Sequence, residues 1–372
     1  MKKKKTFFLV WFVAILACYG QGEEGKKPPQ FFFASSIATW GLNTLGGYRF
    51  TDLLGKNMAT SIFTGTGVGY FGGDYYRLPD GTVFSQPVSN FSADAAGFTY
   101  LITLWQAGIR QGLLSEGRRD LLGIDVRYQG KWRSHIQDSS METLLQASEI
   151  AEKEGSLQHE FKLSLFAHYI TPHQCHQYLQ GAAAILWYRT VPQGMGSAPG
   201  GNFSFSALGT EGMALFTVVD TNPREDDLCL VLALRGGIEG IGGSSVPFYE
   251  RGVMKNYLRG VDGHGLDLSF SVVGNIELRT YLPSPGIVSN LTIWPVIYFF
   301  SDNGYFWERD IAKGIFVSSA GVGIALEFAP FLVLTCTTQW RLTDTNVDGG
   351  HWVPLEMCIG SYLFGNGYSL NP

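Results

Sequence analysis

From Asp267 to Leu282 every second residue is apolar or small: Leu268, Phe270, Val272, Gly274, Ile276, Leu278, Thr280 and Leu282. Between them stand Asp267, Ser269, Ser271, Val273, Asn275, Glu277, Arg279 and Tyr281. A period of two puts the sets on opposite faces of one strand. The run is far longer than the mean soluble strand of about 5–6 residues. It is long enough for a strand crossing a bilayer at a tilt, which takes roughly 9–11 residues with apolar side chains to lipid and polar ones to the lumen. Weaker alternation recurs in Leu121–Trp132, His159–Ile170 and Asp227–Arg235, and further strands fit Leu291–Asp302, Ile315–Phe328, Leu332–Leu342 and Val353–Leu363. Lipid offers no partner to free backbone groups, so such strands must close on themselves. The expected fold class is all-β, a transmembrane antiparallel β-barrel. A soluble sandwich would also alternate, but with shorter strands. The polar face is read as a wet lumen, so Leu278→Arg should impair assembly more than Asn275→Arg.

The amino terminus points the same way. Met1 and four lysines precede an apolar run from Phe7 to Ala17, the layout of a secretory signal peptide and too short for a spanning helix. Two cleavage readings stay open: after Gly20, or before a lipidated Cys18 in Ile15-Leu16-Ala17-Cys18. The chain then divides into a leader (1–20), a short periplasmic lead (21–30), the barrel (31–364) and a tail (365–372). Loss of the four leader lysines takes the formal charge from −5 to −9, with no basic patch to suggest nucleic acid. Many short strands and turns suit 47 Gly, 26 Phe and 17 Tyr beside only 16% charged residues. Two stretches break the strand pattern. Ile136–Gly155 reads as a short helix in a loop, and Gly236–Gly265 as a long connection without strand period, of the kind that is usually functional.

That connection holds Val246-Pro247-Phe248-Tyr249-Glu250-Arg251 and then Tyr257-Leu258-Arg259-Gly260-Val261. It resembles the sixth extracellular loop of the BamA (surface-antigen) superfamily, where a proline-phenylalanine anchor precedes a (Val/Ile)-Arg-Gly-(Phe/Tyr) motif folded back into the lumen. Asn275-Ile276-Glu277-Leu278-Arg279 looks like that family's next strand, with its inward glutamate. Ile297–Trp307 is similar to its aromatic-Asp-x-Gly-x-x-Trp strand end, and Ala320-Gly321-Val322-Gly323-Ile324 to the glycine-rich strand after it. The resemblance implies a barrel of about 16 strands, five of them after the loop, with the loop anchored by Pro247, Phe248 and Tyr249 and locked in the lumen by Arg259 and Gly260 against Glu277 and Asp302. Departures are Val253-Met254 in place of paired glycines, Val261 in place of an aromatic, and Leu363 where the last strand should end in one. The family's periplasmic repeat domains have no counterpart here, so insertase activity is not carried over.

Other constellations have plainer readings. Gly67-Val68-Gly69-Tyr70-Phe71-Gly72 matches GxGxxG, but without the flanking strand and helix of a nucleotide site it reads as glycines of a bent strand, and no cofactor is expected. His173-Gln174-Cys175-His176 follows a Thr171-Pro172 turn with no carboxylate nearby, so no metal is expected. Cys336 and Cys358 fall opposite each other in the last hairpin but on different faces, so no disulfide is expected. Glu160, Ser164 and His168 share an inward face and read as lumen polarity rather than a lipase triad. The expected function is a non-enzymatic outer-membrane barrel of the BamA type. It would act as a pore, or in protein assembly or translocation with a separate periplasmic or lipoprotein partner. An unrelated fatty-acid or small-solute transport barrel is the alternative, and an outer-membrane phospholipase a more distant one.

Overall fold

In a computed structural model of the chain the described residues are 30–38, 41–51, 53, 60–77, 83–84, 94–116, 119–135, 155–172, 179–198, 201–221, 228–243, 246–247, 250, 258–259, 268–283, 293–308, 314–328, 332–343 and 352–359. The first strands are β1 (Gln30–Ala38), β2 (Gly41–Phe50), β3 (Thr60–Arg77), β4 (Val83–Phe84), β5 (Asp94–Glu116) and β6 (Arg119–His135). They are followed by β7 (Ser156–His168), β8 (Thr171–Pro172), β9 (Leu179–Ala198), β10 (Gly201–Asp220) and β11 (Cys229–Gly242). After the long connection come β12 (Leu268–Tyr281), β13 (Ile293–Glu308), β14 (Gly314–Phe328), β15 (Leu332–Arg341) and β16 (Trp352–Ile359).

All sixteen belong to one antiparallel sheet. The two-residue β4 and β8 only extend the ends of β3 and β9, so among the described residues fourteen long strands go round the ring. Each pairs with its neighbours in chain order, and β1 meets β16 with Ile37 opposite Ile359 and Ala38 opposite Cys358. The sheet thus closes on itself through β1 and β16, as a membrane requires. An even ring of antiparallel strands puts the start of β1 and the end of β16 at one end and the β11–β12 connection at the other.

The two faces are inverted relative to a soluble protein. On β12, Ser271, Val273, Asn275, Glu277, Arg279 and Tyr281 are buried, while Phe270, Ile276 and Leu278 are exposed. Around the ring the outer face shows Leu163, Leu208, Phe299 (60% exposed) and Ile324 (57%), whereas Glu160, Arg189, Glu239 and Asp302 are buried inside. Water would not tolerate so continuous an apolar exterior, and lipid favours it. Ile276, near the middle of β12 and 51% exposed, gives a direct test. Ile276→Arg should cost about 2–4 kcal/mol if it lies near the bilayer midplane, read as a smaller heat-modifiable folded fraction in lipid vesicles. Ile276→Leu should fold like the unmodified chain.

Two local expectations change. The lumen beside Asn275 is not wet: that side chain is 2% exposed, so Asn275→Arg would overfill a packed wall, and the contrast with Leu278 does not follow. Nor does the loop begin at Gly236. Strand β11 continues to Gly242, with Gly236 opposite Gly274 and Gly240 opposite Phe270, because backbone pairing needs no side chain and glycines hide the period. Gly67–Gly72 lies within β3, and a Cβ at Gly67 would stand 2.1 Å from the Thr44 carbonyl oxygen, a close strand approach rather than a phosphate loop. Cys336 is free and sits opposite Met357, while Cys358 is opposite Thr335. The leader, the tail, 136–154 and His173–His176 lie outside the described residues.

Candidate functional site: a loop clasped inside the barrel

Between β11 and β12 the chain turns into the lumen. Val246 packs with Val191, Phe203 and Phe205 on the inner faces of β9 and β10, and Pro247 is buried. Leu258 joins an inner cluster with Phe166, Ile185, Trp187, Val273, Phe306 and Val317. These apolar contacts seat the loop, and two ionic contacts of opposite sense hold it.

The first centres on Arg259. Its Nε and Nη2 donate to Asp302 Oδ2 and Oδ1 at 2.8 and 2.7 Å, a bidentate pair. Nη1 donates to Glu277 Oε1, and the backbone N–H donates to Asp302 Oδ2 at 2.9 Å. Ser319 Oγ donates to the Arg259 carbonyl at 2.7 Å, tying the loop to β14 as well. Glu277 also accepts from Arg279 Nε at 2.8 Å, so two cations face two carboxylates. The guanidinium lies 3.6 Å from the centre of the Phe300 ring. The glycine-rich strand makes that possible. A Cβ at Gly321 would come within 2.7 Å of the Phe300 ring, and one at Gly323 within 2.3 Å of Tyr298. Burial alone would lower the Arg259 pKa, but Asp302 and Glu277 raise it. The cation is permanent.

The second contact inverts the charges. Glu250, 2% exposed, accepts from Arg133 Nη2 at 2.7 Å and Lys131 Nζ at 3.3 Å through Oε1, and from Arg189 Nη1 through Oε2. Its carbonyl oxygen accepts from Arg189 Nη2 at 3.0 Å. Glu160 and Glu239 flank the same cations, Glu160 Oε2 at 3.4 Å from Lys131 and Glu239 Oε1 at 3.0 Å from Arg189. Three cations therefore face three carboxylates, one of them brought by the loop. Burial would raise the Glu250 carboxyl, yet Lys131, Arg189 and Arg133 hold it well below the usual carboxylate range.

The structure thus brings Arg259, Glu277 and Asp302 together and buries Pro247, while Phe248, Tyr249, Gly260 and Cys18 lie outside the described residues. Glu160 and Ser164 are buried and His168 half-buried on the inner face of β7, with Glu160 engaged as a counter-ion. Sequence reasoning missed Glu250. The available signal was Arg127, Lys131 and Arg133 on one face of β6, more cation than that strand's own acids balance. Nothing in the sequence says which carboxylate answers it.

No family model matches the chain, and no curated protein matches it. Among solved structures it is similar to BamA from Haemophilus ducreyi lacking POTRA domains 1-3, at 13% identity over 90% of this chain and 71% of that one, TM-score 0.47. It is also similar to a bacterial polysaccharide outer membrane secretin, at 8% identity over 89% and 98%, TM-score 0.36. A third is the translocator domain of autotransporter NalP from Neisseria meningitidis, at 11% identity over 96% and 94%, TM-score 0.24.

Proposed function

We propose that the chain is an outer-membrane β-barrel of the BamA (surface-antigen) type with its loop clasped in the lumen. It acts without covalent chemistry, as a gated pore or in outer-membrane protein assembly or translocation, together with a separate periplasmic or lipoprotein partner. The observation that carries the reading is the Arg259 clasp: a motif arginine of the loop brackets the motif carboxylates Glu277 and Asp302 of the two strands that follow it. The leader-like amino terminus supports export, and the apolar exterior supports insertion in lipid. Glu160, committed to Lys131 and Arg189, supports a structural rather than hydrolytic role for the polar face of β7.

The test is conductance in planar bilayers, paired with capture of partners from detergent-solubilised outer membrane. The unmodified protein should be nearly silent, and the Arg259→Ala, Glu250→Gln double variant should conduct. A steady open channel in the unmodified protein would favour a simple transport barrel instead.

A further inference from the structure

The inner wall of β6, β7 and β9 carries cations placed where a strand sheet ordinarily avoids them. Arg127 lies directly opposite Lys162, and Lys162 directly opposite Arg189, a row of three like charges on neighbouring strands. Like charges in that position repel and destabilise a sheet. Arg189 is neutralised by Glu160, Glu239 and Glu250. The others are not.

Among the described residues no carboxylate comes within ion-pair distance of Lys162, whose ammonium rests 5.0 Å from the centre of the Trp187 ring. Arg127 reaches Asp125 only at 3.4 Å, and its Nε is buried without a hydrogen-bond partner. Arg110 reaches the same Asp125 at 3.6 Å, and Arg49 reaches Asp120 at 3.9 Å. Three cations thus share two carboxylates, and Lys162 reaches neither. The nearest other acids are already engaged: Glu160 with Lys131 and Arg189, and Glu211 with Arg235 at 2.6 Å. Arg127 lies 5.0 Å from the Phe63 ring centre and donates through Nη1 to Gln106 Oε1 at only 3.5 Å, and Arg110 lies 4.6 Å from the Phe166 ring centre. The side chains of Arg49, Arg110 and Arg127 keep 14–22% exposure, so water reaches them.

We infer that Arg110, Arg127 and Lys162 form a binding site for a phosphate-class oxyanion on the inner wall of the barrel. Two guanidinium forks and an ammonium suit a tetrahedral anion, which accepts paired N–H donors that chloride cannot use as a fork. The ion pairs made by Glu250 and Arg259 go to other side chains, so phosphate binding here is read separately from the clasp.

The test uses the folded full chain in detergent, its unfolding midpoint followed by tryptophan fluorescence in sodium phosphate and in sodium chloride of matched ionic strength. Phosphate should raise the midpoint saturably over chloride, because a ligand of the folded state stabilises it. Lys162→Gln should weaken the apparent phosphate affinity at least tenfold. It should also start from a higher midpoint in chloride, since it relieves the repulsion in the row. Arg127→Lys, which keeps the charge but loses the fork, should fall between. Three outcomes would overturn the inference: no phosphate-specific rise in the unmodified chain, an equal rise in Lys162→Gln, or a lower chloride midpoint for Lys162→Gln. The last would make the lysine an ordinary structural cation.

Discussion

Arg259→Ala should lower the stability of the folded barrel by about 3–5 kcal/mol, the range for breaking one side of a buried ion pair, and should open the loop to protease. The magnitude belongs at the upper part of what one side chain can do, because Asp302 is fully buried and accepts both of its side-chain bonds from this guanidinium. The two carboxylates do not suffer equally. Glu277 keeps Arg279 as a partner at 2.8 Å, whereas Asp302 is left with the backbone N–H of residue 259. A double-mutant cycle should therefore show the larger coupling for Arg259→Ala with Asp302→Asn and the smaller one with Glu277→Gln, within the roughly 0.5–3 kcal/mol seen for contacting groups. Arg259→Lys should recover only part, since an ammonium can neither bracket both carboxylates nor stack flat on Phe300. The measurement is denaturant unfolding in vesicles for the four corners of each cycle, with protease access to 243–267 as the second readout. Additivity in both cycles, or a loop already cleaved in the unmodified chain, would reduce Arg259 to a bystander.

Glu250→Gln should release the other end of the loop. With the loop carboxylate neutralised, Lys131, Arg133 and Arg189 lose the buried negative charge that all three share. The expected loss is about 2–4 kcal/mol, below that for Arg259 because the amide still accepts one hydrogen bond and the carbonyl contact to Arg189 survives. Acid should not mimic the substitution easily. The Glu250 carboxyl lies well below its ordinary value of 4.5 in the folded barrel, so its stabilisation is complete above that value and fades only as the pH falls through the lower, folded one. Protease access near 250 should thus stay low from neutral pH down to about 5 in the unmodified chain and be high throughout in Glu250→Gln. Loop release on mild acidification, or a Glu250→Gln barrel as protected as the parent, would count against the second clasp.

The strands and their faces were legible along the chain because a period of two is a local property: Phe270, Ile276 and Leu278 point out, and Glu277 and Arg279 in, by alternation alone. The Arg259 clasp was legible for a different reason. Its carboxylates sit 18 and 43 residues away, on the polar faces of the strands that follow the loop, inside recognisable motifs. Glycine defeated the local signal in β11, where pairing runs through backbone that carries no pattern. Glu250 shows where reading along the chain stops, for its partners Arg189, Arg133 and Lys131 lie 61, 117 and 119 residues away. Alternation says that each faces the lumen, but not which height or which part of the wall it occupies. Those depend on the register of every intervening strand pair and on closure of the ring at Ile37 and Ile359. The row Arg127, Lys162, Arg189 has the same origin. Each residue is an unremarkable inward cation on its own strand, and only registration across β6, β7 and β9 lays the three side by side, since Coulomb repulsion acts through space and not along the sequence.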